Sequence, residues 1–133
     1  MKKSIIILII AMSFMCCNKR QETIKETLKL TNIKIINDKC NLGVLKPDTT
    51  VKGYFVVTNV GEEVLIYQDI ITDCGCTTIK NKKDSVKQGE TDTIFFELST
   101  HGMKKNTIIQ KDVRIITNTI PDLNRFLVLG EIK

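Results

Sequence analysis

The chain has 133 residues, of which 26% are charged and 42% hydrophobic, and its formal net charge is +5. A chain of this length accommodates one domain but not two once a leader is removed. The positive charge is mild, and no basic stretch carries the interleaved aromatic residues that stack on bases. Nucleic acid is therefore not an expected partner.

Residues 1–16 are typical of an export signal. Lys2 and Lys3 precede an uncharged, mostly apolar run over residues 4–15, which is the pattern of a secretory signal peptide. As a helix, a run of this length reaches only about 18 Å, whereas the hydrocarbon core of a bilayer is about 30 Å thick. The run is thus too short for a stable membrane span.

The apolar run ends on Cys16 and Cys17, and this ending resembles the lipobox of bacterial lipoproteins, where a cysteine is acylated and becomes the first mature residue. Cys17 fits better, since Phe14 stands three residues before it and the small Cys16 directly before it. Cys16 is the alternative, with the bulky Met15 at the small position. Acyl chains such as palmitate, at ~0.8 kcal/mol per buried CH₂, would then anchor the protein to a membrane. A secretory signal cleaved nearby without lipid attachment is the other interpretation.

Residues 17–27 are polar and charged, and predict a tether between the lipid and a domain that spans residues 28–133. A domain of that size buries roughly two-thirds of its unfolded surface, so it needs no metal or disulfide to hold a core. Its lysine clusters predict a solvated loop surface rather than an anion-binding or membrane-contacting one. These lysines are Lys80, Lys82, Lys83, Lys87, Lys104 and Lys105.

From Leu28 onward, polar and apolar residues alternate and β-branched residues dominate, which predicts β-strands. In chain order the predicted strands cover residues 28–37, 39–45, 51–59, 64–73, 91–99, 108–117 and 123–132. Turn residues separate the strands, and no segment repeats apolar residues at helical spacing. We therefore expect an all-β, antiparallel β-sandwich of about seven strands, with 51–59 and 64–73 paired as a hairpin.

The alternation also predicts which side chains point into the core. Gly53 falls on the inward face of its strand, between apolar neighbours. The predicted inward residues are Val51, Phe55, Val57, Ile94, Phe96, Leu98, Ile109, Val113, Ile115, Phe126, Val128 and Ile132.

Several short motifs along residues 38–132 together resemble those of domain-of-unknown-function family 1573, which comprises exported bacterial proteins. The most specific is Asp73-Cys74-Gly75-Cys76-Thr77, which contains a Cys-Gly-Cys-Thr signature. The resemblance implies an immunoglobulin-like fold and brings no settled activity with it. The remaining matches are Leu42-Gly43, Asn59-Val60-Gly61, Leu65-Ile66, Gly89-Glu90, Ile94–Leu98, Gly102, Asn118 and Leu129-Gly130-Glu131-Ile132.

The chain departs from the family pattern at three places, all of which concern loop details rather than the fold. Gln88-Gly89 stands where Pro-Gly is usual, and residues 79–83 replace a Pro-containing stretch. Cys40 occupies a position that is usually aromatic.

Three cysteines, Cys40, Cys74 and Cys76, remain in the exported domain, and an oxidising envelope makes disulfides plausible. A Cys74–Cys76 bond closes a very short loop and contributes only ~1.6 kcal/mol by the loop-entropy formula, whereas a Cys40–Cys74 bond contributes about 3.8 kcal/mol. If 51–59 and 64–73 form a hairpin, Cys40 and Cys74 approach the same end of the sheet, so this longer bridge is credible. Sequence leaves the choice of pair open.

The Cys74–Cys76 pair has three interpretations. Both can be small core residues at a strand end, with Gly75 supplying an unusual backbone angle. Their thiolates can instead bind Cu(I) or zinc, with His101 or Met103 as a further ligand, although two cysteines fall short of a structural zinc site. In the third interpretation, a bond between them takes part in thiol exchange. His101 is the only histidine, and a loop residue without a ligand role is its simplest interpretation.

No motif of a hydrolase nucleophile elbow or a phosphate-binding loop is present in the sequence. We therefore expect no enzyme activity and no cofactor. The expected function is a lipid-anchored binding or structural module that contacts a protein of the cell envelope, at the periplasm or cell surface. A metal-binding or redox protein that uses the Cys-Gly-Cys pair is the alternative.

Overall fold

The computed structural model describes residues 28–81 and 83–133, and these form nine strands. The predicted signal, lipidation site and tether lie outside the described residues. The strands are β1 Ile33–Ile35, β2 Lys39–Leu45, β3 Thr50–Asn59, β4 Leu65–Thr72, β5 Thr77–Asn81, β6 Ser85–Val86, β7 Thr91–Ser99, β8 Ile108–Thr117 and β9 Leu123–Ile132. No helix capable of crossing a membrane occurs among the described residues.

The strands form two sheets that face each other. One has four strands in the order β1-β3-β7-β5, and the other has five in the order β2-β9-β8-β4-β6. All pairs are antiparallel except β2 with β9, which is parallel. This arrangement confirms the predicted all-β sandwich. It adds a switch of sheets between β1 and β2, because the chain leaves the first sheet after Ile35 and joins the second at Lys39.

The predicted hairpin of residues 51–59 with 64–73 is wrong. β3 lies in the four-stranded sheet and β4 in the five-stranded sheet, since the turn after Asn59 is bound to another segment. The amides of Val60 and Gly61 both donate to the carbonyl of Asn32, at 2.9 and 3.1 Å. The two strands therefore face each other across the core rather than pairing along their edges.

Strand lengths also differ from prediction at three places. β1 is three residues long rather than the ten predicted. Leu28 and Leu30, which belong to the predicted strand but precede β1, are exposed. β5 and β6 were not predicted, because β5 has a single apolar residue, Ile79, and β6 has only two residues, so neither shows an alternation.

The core lies between the sheets and uses the faces that alternation predicted. Eleven of the twelve predicted inward residues are buried, and Val51 packs at the edge of the core as a half-buried residue. The Phe55 ring lies 5.0 Å from Phe96 in its own sheet and 4.8 Å from Phe126 in the opposite sheet, measured between centroids. Gly53 leaves room for this group, because a Cβ there would meet the Phe96 ring.

Asn59 organises the turn that sends the chain from β3 to β4. Its buried side-chain oxygen accepts from the Thr31 hydroxyl at 2.8 Å and from the Gly61 amide at 3.1 Å. Its side-chain nitrogen donates to the carbonyls of Glu63 and Val86, at 2.8 and 2.9 Å. Gly61 must be a glycine here, since a Cβ would collide with Thr31. This geometry gives the Asn-x-Gly motif a structural role.

Tyr67 and Asp92 form a polar link between the sheets. Tyr67 is on β4 and Asp92 on β7; both are buried, and the Asp92 carboxylate lies close enough to the phenol to influence its pKa. Burial, together with the nearby Asp92 carboxylate, raises the pKa of Tyr67. The folded state therefore holds the phenol proton more tightly than the unfolded chain, whose tyrosine pKa is about 10.

This link predicts a stability loss in alkali. Because the pKa of Tyr67 is raised by folding, its contribution to the free energy of unfolding is fully present below pH ~10. This contribution decreases as the pH rises above that value. At pH 7, Tyr67→Phe should lower the free energy of unfolding by about 1–3 kcal/mol, because it removes the buried hydroxyl that interacts with the Asp92 carboxylate. In urea denaturation from pH 8 to 11, the difference in free energy of unfolding between wild type and Tyr67→Phe should become smaller as the pH rises.

Tyr54→Phe is the matched control, since Tyr54 is the other tyrosine and its side chain is exposed. This variant should keep the wild-type pH dependence. Parallel stability curves for wild type and Tyr67→Phe up to pH 11 would show that Tyr67 does not couple folding to pH.

Candidate functional site

The Cys-Gly-Cys signature forms a corner between the sheets. β4 ends at Thr72 in the five-stranded sheet and β5 begins at Thr77 in the four-stranded sheet. Residues 73–76, here named the Cys-Gly-Cys corner, therefore carry the chain across one end of the sandwich. A disulfide joins Cys74 to Cys76, with their Cα atoms 5.2 Å apart. The two signature cysteines are thus paired with each other.

Asp73 attaches the start of the corner to β8. Its amide donates to the carbonyl of Asp112 at 3.2 Å, and its carboxylate accepts from the amide of Asp112 at 3.0 Å. The same carboxylate lies 3.4 Å from the Arg114 guanidinium. Three polar contacts therefore attach this side of the corner to the five-stranded sheet.

The end of the corner is attached to the other sheet. The amide of Ser99 on β7 donates to the carbonyl of Cys76 at 2.8 Å. Within the corner, the Cys74 carbonyl accepts from the Thr77 amide and from the Thr72 hydroxyl, both at 3.3 Å. Hydrogen bonds thus define the path of the backbone on both sides of the disulfide.

Cys40 is a free thiol and does not form the longer bridge considered from the sequence. On β2, Cys40 pairs with Val128 of β9, and Val128 pairs with Lys111 of β8. The segment that enters Cys74 is hydrogen-bonded to β8 in turn. Three strand spacings, about 14 Å, therefore separate Cys40 from Cys74, whereas a disulfide needs Cα atoms within about 7 Å. The loop-entropy comparison of the two disulfides depends only on the number of residues enclosed, so it does not include the strands on which the cysteines lie. The Cys40 side chain instead packs against the core, beside Gly53.

His101 and Met103, the further ligands considered from the sequence, do not adjoin the disulfide in the contacts that the structure gives them. The exposed His101 ring lies 3.6 Å from the Asp48 carboxylate, and Met103 packs against the core. Within residues 28–81 and 83–133, no three His, Cys, Asp or Glu side chains are grouped so that they could share a metal ion. Thiolate ligation by Cys74 and Cys76 would first require reduction of their bond, so the Cu(I) or zinc alternative stays a prediction.

A charged group on the outer face of the five-stranded sheet adjoins the corner. Arg125 binds Asp112 through two hydrogen bonds of 2.7 and 2.6 Å, and these lower the pKa of the Asp112 carboxyl. Arg114 pairs directly across from Arg125. Sequence reasoning missed this group, because its members come from strands whose register was unknown.

A second surface, here named the aromatic face, consists of Ile36, Tyr54, Val56 and Phe95 on the outside of the four-stranded sheet. Tyr54 and Phe95 are cross-strand neighbours with ring centroids 6.2 Å apart, and they are 52% and 44% exposed. Ile36 is 56% exposed and its amide donates to the Val56 carbonyl. The Phe95-Phe96 pair was the available signal, since neighbouring residues on a strand point to opposite faces.

Three lysines and one glutamate surround the aromatic face. Glu97 lies between Lys52 and Lys80, with nitrogen–oxygen distances of 3.9 and 3.0 Å. Lys34, on β1, is exposed and pairs with Thr58 at the other edge of the face. These four side chains together carry a net positive charge.

Comparisons with solved structures agree with the immunoglobulin-like sandwich. A protein of unknown function from Porphyromonas gingivalis W83 matches with a TM-score of 0.66 and 19% identity, over 78% of this chain and 48% of that one. The PapD-like domain 7 of human CEP192 matches with a TM-score of 0.64 and 9% identity, over 78% and 87%. The secreted serine protease VesC from Vibrio cholerae matches with a TM-score of 0.59 and 12% identity, over 77% and 23%. At these identities the likeness shows the fold alone.

The chain spans about half of the Porphyromonas protein and about a quarter of VesC. No protein of curated function is similar enough in sequence to match. The family model described as protein of unknown function DUF1573 matches residues 33–132, which include every strand of the sandwich. The chain belongs to this family.

Proposed function

We propose that this protein is a lipid-anchored module of the bacterial cell envelope that binds a partner protein through its aromatic face. The observation that carries the proposal is the exposure of Tyr54 and Phe95 side by side on a sheet whose other face already fills the core. Aromatic side chains exposed in this way contribute nothing to core packing, whereas they dominate the binding energy of protein interfaces.

The charges around the face indicate the chemistry of the partner. Lys34, Lys52 and Lys80 surround it, and Glu97 lies between Lys52 and Lys80. A segment with apolar residues flanked by Asp or Glu would bury its side chains against Tyr54 and Phe95 and place carboxylates near these lysines. Complementary charge of this kind raises the rate of association and disfavours other partners.

The sequence before the domain supports a location at a membrane. The expected export signal covers residues 1–16, and the expected tether over residues 17–27 cannot extend further than about 40 Å. An acylated Cys17 would thus keep the aromatic face within reach of proteins at the membrane surface.

Lipid attachment predicts a specific effect of Cys17→Ser. The variant should lose an alkyne-labelled palmitate that the wild-type chain incorporates in growing bacteria, and should move from the membrane fraction to the soluble fraction. Cys16→Ser is the matched control and should keep both the label and the membrane location. Label on Cys17→Ser but not on Cys16→Ser would assign the lipid to Cys16, and label on neither wild type nor variants would contradict a lipid anchor.

The partner can be identified by photo-crosslinking from the aromatic face. A benzoylphenylalanine at position 54 of the full chain, expressed in the envelope of the source bacterium, should crosslink to a segment that contains apolar and acidic residues. Binding of a synthetic copy of that segment is then measured with the purified full chain. Tyr54→Ser and Phe95→Ser should each weaken binding about 10- to 100-fold, the range expected for central interface aromatics.

Ile108→Ser is the matched control, since Ile108 is 71% exposed but lies on the five-stranded sheet. It should change the dissociation constant less than twofold. Equal weakening by Ile108→Ser, or a crosslinked segment without acidic residues, would contradict the proposed surface.

A further inference from the structure

We propose that Cys74 and Cys76 form a reversible thiol–disulfide exchange site that is reduced by a dithiol protein of the envelope. This activity is separate from partner binding, because the corner lies between the sheets at one end of the sandwich whereas the aromatic face covers the outside of one sheet. Four observations support it: the hydrogen bonds of the corner, the loop size, the partial exposure of the sulfurs and their unequal surroundings.

The hydrogen bonds that attach the corner to the sheets do not involve this bond. Asp73 binds β8 through both its amide and its carboxylate, and the Cys76 carbonyl accepts from Ser99. The turn between Cys74 and Thr77 has its own backbone hydrogen bond. All of these contacts use atoms other than sulfur, so they persist when the bond is broken.

The loop closed by the Cys74–Cys76 bond is also too short for the bond to stabilise the fold strongly. A disulfide stabilises a protein mainly by restricting the unfolded chain, and this effect grows with the number of residues enclosed. Only Gly75 lies between the two cysteines, so the restriction is close to the smallest that a disulfide can give. A disulfide that stabilises the fold would join segments distant in sequence, as a Cys40–Cys74 bond would have done.

The two sulfurs have different surroundings, which assigns their order in the exchange. Both cysteines are partly exposed, and Cys76 packs against the hydrophobic core. The Cys74 sulfur lies 3.9 Å from the Thr77 hydroxyl, which can donate to a thiolate. Because the attacked sulfur must be accessible, the Cys74 sulfur forms the mixed disulfide and Cys76 is the leaving thiolate of the first displacement.

The exchange proceeds in two displacements. A thiolate of the partner attacks the Cys74 sulfur, the Cys74–Cys76 bond breaks, and Cys76 leaves as a thiolate that takes up a proton. The second partner thiolate then attacks the partner's own sulfur in the mixed disulfide and expels Cys74 as a thiolate, which accepts a hydrogen bond from Thr77 and is then protonated. The partner's two thiols become a disulfide, and their two protons and two electrons end on Cys74 and Cys76.

The first test is reduction of the folded protein. The full chain, with Cys16, Cys17 and Cys40 changed to Ser, is purified in detergent and equilibrated with dithiothreitol buffers of graded potential. Alkylation and mass spectrometry measure the reduced fraction, and circular dichroism measures melting. Complete reduction without denaturant, with a cooperative melt retained and the midpoint lowered by less than about 15 °C, is expected. Resistance to reduction until the domain unfolds, or unfolding on reduction, would overturn the proposal.

The second test addresses the order of the two sulfurs, in the same serine background. The probe is a thioredoxin, normally a dithiol protein, in a variant without its resolving cysteine, so that the reaction stops at the mixed disulfide. Peptide mapping should find that mixed disulfide on Cys74. The thiol left by Cys76→Ser should react with dithionitrobenzoate at least tenfold faster than the thiol left by Cys74→Ser. Equal rates, or a mixed disulfide on Cys76, would contradict the assigned roles, and absence of any mixed disulfide would contradict exchange itself.

Discussion

Contact between three phenylalanine rings across the core holds the two sheets together. Phe55 touches Phe96 in its own sheet and Phe126 in the other, and all three are buried. This packing requires Gly53, since any side chain there would displace the Phe96 ring. Because the rings sit within the regular strands, this contact does not involve the loops. The loops and the outer faces of the sheets take no part in this contact and can have other roles.

The Cys-Gly-Cys corner illustrates this freedom. It is the place where the chain passes from β4 to β5, and hydrogen bonds attach it to both sheets. A disulfide in this setting adds little to stability, so its occurrence in a signature sequence calls for another explanation. Reversible exchange provides one, and the aromatic face provides a separate surface by which a partner can be bound. The two properties occupy different parts of the same small domain.

Alternation along the sequence was enough to predict the sandwich, most strand bounds and the inward faces, because burial of every second residue follows directly from strand geometry. It could not predict which strands pair, so residues 51–59 and 64–73 were joined in a hairpin that does not exist. The same error made a Cys40–Cys74 bond credible. Tyr54 and Phe95 were overlooked, because an outward aromatic residue becomes meaningful only when its cross-strand neighbour is known.

The most direct test of this account is amide hydrogen exchange of the full chain in detergent, compared between its oxidised and reduced forms. The amides of Thr77, Ser99 and Asp112 donate the hydrogen bonds that attach the corner. If these bonds hold the corner without the disulfide, reduction should change their protection by less than about tenfold, or about 1.4 kcal/mol. Loss of protection by 100-fold or more at all three amides would show that the disulfide holds the corner in place, and would contradict the account.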